Sequence, residues 1–214
     1  MNNPSVNSTL IQHHKLFPTS IGVFSINNAE WIRQGITNFY NTTVDDLNFN
    51  DTDKDIWDDI ESCPALKTLH DVFLENASVY VNNCYDDVST TRDYFYHERG
   101  WITQKIQNTA IPLHNHRLTS VVGVYYFGDF DDNAGDLHFI DPRTTIGWIH
   151  PDQSARHDTH VVSKPQDGTM LLFPGWLMHF SPPNQSSKIR LSVGANINLK
   201  PKYIKVNGKK WSDE

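Results

Sequence analysis

"TSVVGVYYFGDFDDNAGDLHFID", residues 119–141, sets two short β-patterned runs around one turn. Val121, Val122, Val124, Tyr125 and Tyr126 are the β-branched and aromatic types that suit a pleated, half-buried surface. Gly128, Asp129, Asp131, Asn133 and Gly135 are turn formers. The same alternation of run and turn extends in both directions. Upstream lie "DYFYHERGWITQKI" (93–106) and "IPLHNH" (111–116); downstream lie "HVVSKP" (160–165), "TMLLFP" (169–174) and "IRLSVGANINL" (189–199). The separators "DPRTT", "KPQDG" and "PPNQSS" are loop-forming in composition. Seven or eight strands between residues 93 and 199, with no helix-period segment among them, predict a double-sheet jelly roll or barrel rather than a parallel α/β sheet.

Before residue 93 the period changes. In residues 27–41, Asn28 is a candidate cap, Glu30 suits the positive end of a helix, and Ile32, Ile36, Phe39 and Tyr40 fall on one stripe. In residues 64–85, Pro64 starts a second helix with Leu66, Leu69, Phe73, Ala77, Tyr80 and Cys84 at helical spacing. The acidic stretch 42–61 between them lacks the glycine and terminal glutamate of a calcium loop and reads as a solvated loop. The expected class is mainly β with N-terminal helices. The expected organisation is one domain over 1–214: helical support in 1–92, a jelly-roll core in 93–199 and a tail in 200–214.

Composition narrows the function classes. The 214 residues carry a formal net charge of −7, with a locally basic stretch only in the tail "KPKYIKVNGKKW" (200–211). A duplex-binding protein needs a basic face against phosphates, so nucleic acid is not expected as a partner. No run approaches the roughly 18 apolar residues of a membrane span, and no charged-then-apolar leader opens the chain. Cys63 and Cys84 have no metal or scaffold spacing. A soluble, cytoplasmic protein is the expectation, in a host cytoplasm if the gene is a phage's.

The chemistry concentrates in the β half. On a strand His114 and His116 project to one face, which makes half of a metal site. His179 follows His116 by 63 residues, and Arg190 follows His179 by 11. A jelly roll that carries two ligands on an early strand and a third on a late one brings them together at its mouth. An arginine aimed into an apolar barrel is costly without an anion, and its fork matches a carboxylate. Asp136 and Asp141, on opposite faces of "GDLHFIDP", are alternative third ligands. His150, His157 and His160 form a second histidine group with a loop-like setting and a surface role.

These residues resemble the Fe(II)- and 2-oxoglutarate-dependent dioxygenases, most closely the 2OG-Fe(II) oxygenases of marine bacteria and phages. The likeness begins near residue 16 and is specific from Trp101 to Ile197. Residues 122–143, "VGVYYFGDFDDNAGDLHFIDPR", are similar to the strand, turn and strand of prolyl hydroxylases. The resemblance implies a double-stranded β-helix of cupin-like form, Fe(II) and 2-oxoglutarate as cofactors, and O2 as co-substrate. It implies metal ligation by His114, His116 and His179, a salt bridge from Arg190 to the far carboxylate of 2-oxoglutarate, and hydrogen bonds to it from Tyr126 and Ser192, with Tyr125 the fallback if the register slips by one. The family's usual H-x-D is H-x-H here. The implied reaction is hydroxylation, by analogy of a prolyl or other peptidyl side chain, on a substrate that is either a peptide or a small molecule. Two other readings stand beside it: a cupin-like three-histidine dioxygenase without 2-oxoglutarate, opposed by the absence of a glutamate soon after His116, and a structural or assembly jelly roll.

Overall fold

In the computed structural model the described residues are 19–40, 55–85, 89–141 and 160–201, with two short strand segments at 205–206 and 209–210. Two antiparallel sheets carry the fold. The larger runs in the order β1 (Gly22–Ser25), β7 (Thr169–Pro174), β4 (Val121–Tyr126), β9 (Arg190–Leu199), β2 (Phe95–Lys105). The smaller runs β3 (Ile111–His114), β8 (His179–Ser181), β5 (Leu137–Ile140), β6 (His160–Ser163). From β3 to β9 consecutive strands alternate between the two sheets, except that β5 and β6 are antiparallel neighbours in the smaller one, as in a double-stranded β-helix. Pairing β7 against β4 and β4 against β9 puts the longest apolar strands in the centre, where both faces are covered.

The two faces of the larger sheet have different partners. Tyr125, Val121, Met170, Leu172, Val193 and Ala195 face the helices, while Val122, Tyr126, Leu171 and Phe173 face the smaller sheet. This follows from the period-two alternation of β4, β7 and β9. α1 (Ala29–Phe39) and α2 (Pro64–Cys84) lie on the first face. Ile32 and Ile36 of α1, and Leu66, Leu69, Phe73 and Ala77 of α2, are buried there. Removing a side chain such as Phe73 from such a core costs about 3–5 kcal/mol. Asn28 does stand at the start of α1, but in a left-handed conformation and without a side-chain capping bond.

Three local expectations are corrected. The stretch read as a solvated loop contains a 3-10 turn, Ile56–Asp59, whose Ile56 and Trp57 are buried; residues 41–54 lie outside the described part. Asp55 holds that turn down by accepting hydrogen bonds from Trp57 N at 3.0 Å and from Gly100 N of β2 at 2.9 Å. Two large apolar side chains outweigh the acidic neighbours that suggested solvation. The four-residue β1 went unrecognised because so short a run carries little periodicity; it pairs with β7 from Gly22 opposite Leu172 to Ser25 opposite Thr169. The tail contains the paired strands β10 (Lys205–Val206) and β11 (Lys209–Lys210). Among the described residues no helix is long and apolar enough to cross a membrane.

Trp57, His70, Phe73 and His97 form an aromatic cluster between α2 and β2, with the two imidazole centroids 4.2 Å apart. His97 Nε2 donates to the His70 carbonyl at 3.0 Å, and burial pushes its imidazole down to about 3. The unfolded chain takes up a proton on this histidine below pH ~6.5, whereas the folded chain does so only near pH 3. Stability is therefore complete above that window and falls as pH drops through it, by up to about 1.4 kcal/mol per pH unit for one site. Urea unfolding of the metal-free protein at pH 7 and pH 5 should show this loss. His97→Gln should make the slope shallower by about one proton, and an unchanged slope would exclude His97 as its source.

Candidate metal and co-substrate site

The cavity between the sheets has a regular floor. Across β4, β9 and β2 the Cα register pairs Val122 with Asn196 and Asn196 with Arg99; Val124 with Gly194 and Gly194 with Trp101; Tyr126 with Ser192 and Ser192 with Thr103. All nine residues line one cavity of about 440 Å³. Beyond the hydroxyl-bearing row of Tyr126, Ser192 and Thr103 comes the pair Lys105 and Arg190. This order is strand alternation made visible: every second residue of three neighbouring strands points to the same side.

The three histidines meet on the opposite wall. Their candidate ligand atoms all lie within 4.8 Å of one another, and no other described His, Cys, Asp or Glu joins the group. His114 ends β3, and His179 opens β8 directly across from it. His116 corrects the strand argument: β3 stops at His114, and His116 stands in the following turn. Its backbone N–H donates to Gly175 O at 2.9 Å, which ties that turn to the "PGW" turn after β7. Gly175 is needed there, since a Cβ would sit 2.1 Å from Thr119 O and 2.9 Å from His116 O. The turn aims the second imidazole as strand alternation would have done.

Each imidazole is anchored through Nδ1. His114 donates to Pro112 O at 2.7 Å, His179 to Leu177 O at 2.8 Å, and His116 to Asn196 Oδ1 at 2.8 Å. Those acceptors place the proton on Nδ1 and leave the Nε2 lone pairs free, the usual arrangement behind metal-binding histidines. Burial pushes the His179 imidazole down to about 4 and lowers His116 as well, against the raising effect of the Asn196 bond. Both are held in the neutral form that a cation requires. Trp101 stacks on the His116 ring at 5.5 Å and 19°. It can do so because Gly194 leaves the room: a Cβ there would lie 2.3 Å from the indole.

Arg190 is 2% exposed. Its Nη1 donates to Gly135 O and Ser181 Oγ, Nε has no partner, and among the described residues it forms no ion pair. Burial lowers its pKa, opposed by Tyr126 and Asp136. An uncompensated buried guanidinium costs several kcal/mol, and no described residue offsets this one with a charge. Among the described residues no acidic side chain lines the cavity. Tyr126 is buried in the same wall, and burial pushes its phenol up to about 12, so it stays a neutral donor. Tyr125 faces the helices instead and is not part of the cavity.

Of the remaining candidates, Ser192 lines the cavity beside Tyr126. Asp136 and Asp141 belong neither to the histidine cluster nor to the cavity lining. His150 and His157 lie outside the described residues, as does the side chain of His160. Sequence reasoning missed Asn196, Trp101, Gly175, Arg99 and Lys105. Asn196 was within reach: two more steps of the alternation that links Arg190 to Ser192 arrive at Gly194 and Asn196.

Comparison with known proteins finds a family likeness over part of the chain. Residues 99–196 match the model of a family described as "Putative 2OG-Fe(II) oxygenase". No curated protein matches. The fold is similar to that of HygX from Streptomyces hygroscopicus with iron bound, at 10% identity and TM-score 0.55, over 85% of this chain and 83% of that one. The HygX form with nickel and 2-oxoglutarate bound aligns at 11% identity and TM-score 0.53, over 85% and 82%. A prolyl-4-hydroxylase from Pseudomonas putida aligns at 12% identity and TM-score 0.49, over 85% and 89%. An oxidoreductase of the 2OG-Fe(II) oxygenase family from Burkholderia pseudomallei aligns at 14% identity and TM-score 0.42 over 64% of this chain, which spans only 54% of that protein. At such identities the likeness is one of fold.

Proposed function

We propose, for a chain whose residues 99–196 match the model of a 2OG-Fe(II) oxygenase family, that it is a non-haem hydroxylase holding Fe(II) on His114, His116 and His179. In this reading 2-oxoglutarate lies along the same cavity with its far carboxylate on Arg190, Tyr126 and Ser192. One observation carries it: a single cavity has three imidazoles anchored through Nδ1 on one wall and, at one end, a buried guanidinium without a counter-ion among the described residues. The donor set fits the cofactors, since three imidazoles can bind a divalent first-row metal and a fork of N–H donors fits a carboxylate.

Bound Fe(II) and 2-oxoglutarate supply the oxidising chemistry with O2, 2-oxoglutarate leaving as succinate and CO2. The chain's own residues hold and orient. Pro112 O, Leu177 O and Asn196 Oδ1 fix the imidazoles, Val122, Val124 and Leu137 keep the cavity dry, and Arg190 sets the direction of the diacid. Three neutral ligands leave the metal one unit more positive than two histidines and a carboxylate would, which favours an anionic co-substrate. Prolyl or other peptidyl hydroxylation is the substrate reading supported by the resemblance of residues 122–143.

The test is to mix metal-free protein with Fe(II) and 2-oxoglutarate without oxygen and look for the visible charge-transfer band of the chelate, then admit air and assay succinate. Absence of both band and succinate overturns the proposal. Metal binding with no 2-oxoglutarate dependence would instead assign a cupin-like three-histidine dioxygenase, and no metal binding at all a structural jelly roll. Asn196→Leu should lower metal affinity ten- to hundredfold, the usual cost of losing a partner behind a ligating histidine. Competition against a chromophoric chelator measures this directly.

A further inference from the structure

Arg190 and its neighbours account for one end of the cavity, but the lining contains another cation that this reading leaves unused. Arg99 sits on β2 opposite Asn196, in the row of the floor that supports His116. It lines the cavity, is half-buried, and makes no hydrogen bond or ion pair with the described residues. Among the described residues the cavity lining contributes no carboxylate to neutralise it. Six residues of strand separate Arg99 from Lys105, roughly 20 Å at about 3.3 Å per residue. In the reading above one end of the diacid lies on Arg190 and the other chelates the metal, so it has no carboxylate left for Arg99, and the row beside His116 keeps a cation of its own.

We propose that Arg99 anchors a carboxylate of the primary substrate, so that the substrate is an organic acid presented beside the metal. This rests on the oxygenase reading above and adds the chemical class of what is oxidised. A guanidinium on a rigid strand holds a carboxylate in two parallel hydrogen bonds, which fixes orientation as well as position. Trp101, one row away and stacked on His116, offers the substrate's carbon skeleton an aromatic wall between its anchored end and the metal. The Arg99 carboxylate and the Arg190 carboxylate belong to different molecules, which suits a site that must take two acids in a defined order. The source of the carboxylate is either a free small acid or an acidic side chain within a peptide.

The experiment titrates three probes with 2-oxoglutarate present throughout, so that Arg190 is occupied: free L-glutamate, the blocked residue N-acetyl-glutamate amide, and neutral N-acetyl-glutamine amide. Binding is read by saturation-transfer NMR on the metal-free protein and by displacement of the chelate band in the anaerobic Fe(II) form. At least one carboxylate probe should bind tenfold or more tightly than the neutral one. Preference for L-glutamate indicates a free acid as the source, and preference for the blocked glutamate a peptide side chain. Arg99→Gln should abolish the carboxylate preference, and Arg99→Lys should recover part of it. Equal binding of all three probes, no binding by any, or a preference that survives in Arg99→Gln overturns the proposal. Failure of the chelate band while the NMR preference persists would count against the oxygenase reading alone.

Discussion

Arg190→Met should weaken 2-oxoglutarate by about 2–5 kcal/mol, roughly 30-fold or more, while the metal-free protein keeps or gains stability. The two effects have one cause. The guanidinium is buried with an unpaired Nε and no ion pair among the described residues, so no described group compensates its charge in the ligand-free protein. Replacing such a charge by an apolar side chain of similar volume removes the desolvation cost and is often neutral or stabilising. The same change removes the fork that holds the co-substrate. Thermal unfolding without ligands and isothermal titration of 2-oxoglutarate into metal-loaded protein separate the two. If stability falls in step with affinity, the bonds from Nη1 to Gly135 O and Ser181 Oγ are structural, and Arg190 is part of the frame. Arg190→Lys should lie between, because it keeps the charge and loses the paired geometry.

His179→Ala should lower metal affinity by more than roughly a hundredfold, above what losing a partner behind a ligand costs. His116 is the sharper case. If it is the third ligand, His116→Ala should lose the metal nearly as completely as His179→Ala. His116→Asp should retain it, because two histidines and a carboxylate are a common set for non-haem Fe(II). The carboxylate also removes one positive charge from the site. At an effective dielectric of about 20 and a separation of about 6 Å that is worth about 3 kcal/mol for the nearer carboxylate of an incoming diacid. His116→Asp should therefore hold iron and bind 2-oxoglutarate more weakly. A harmless His116→Ala, measured by chelator competition and iron analysis, would return the role to Asp136 or Asp141, which the geometry keeps outside the cluster.

The architecture was readable wherever a residue's type and its period agreed. β4, β7 and β9 combine β-branched and aromatic residues with sharp turns; the sequence preferred Tyr126 with Tyr125 as the fallback, and the folded strand puts Tyr126 in the cavity and Tyr125 against the helices. The helices were equally open, because Leu66, Leu69, Phe73 and Ala77 recur at helical spacing. Trp57 was misjudged because its immediate neighbours are acidic, while the core that takes it belongs to β2 and α2, distant in the chain. β1 was lost for the same reason: four residues become a strand only when β7 offers an edge.

At the site the division is finer. Local spacing was enough to nominate His114, His116, His179 and Arg190, since the identities of metal- and anion-binding side chains are written in single residues. Their convergence was not local. His116 points inward because Gly175, 59 positions later, lets two turns share a hydrogen bond, and its Nδ1 is set by Asn196 from a third strand. Arg99 and Lys105 look like ordinary strand cations in the chain, and only the cross-strand register turns them into the two ends of one cavity. Side-chain chemistry is a property of the residue and survives in the one-dimensional record. Direction, burial and pairing depend on strands that meet only after the chain has folded.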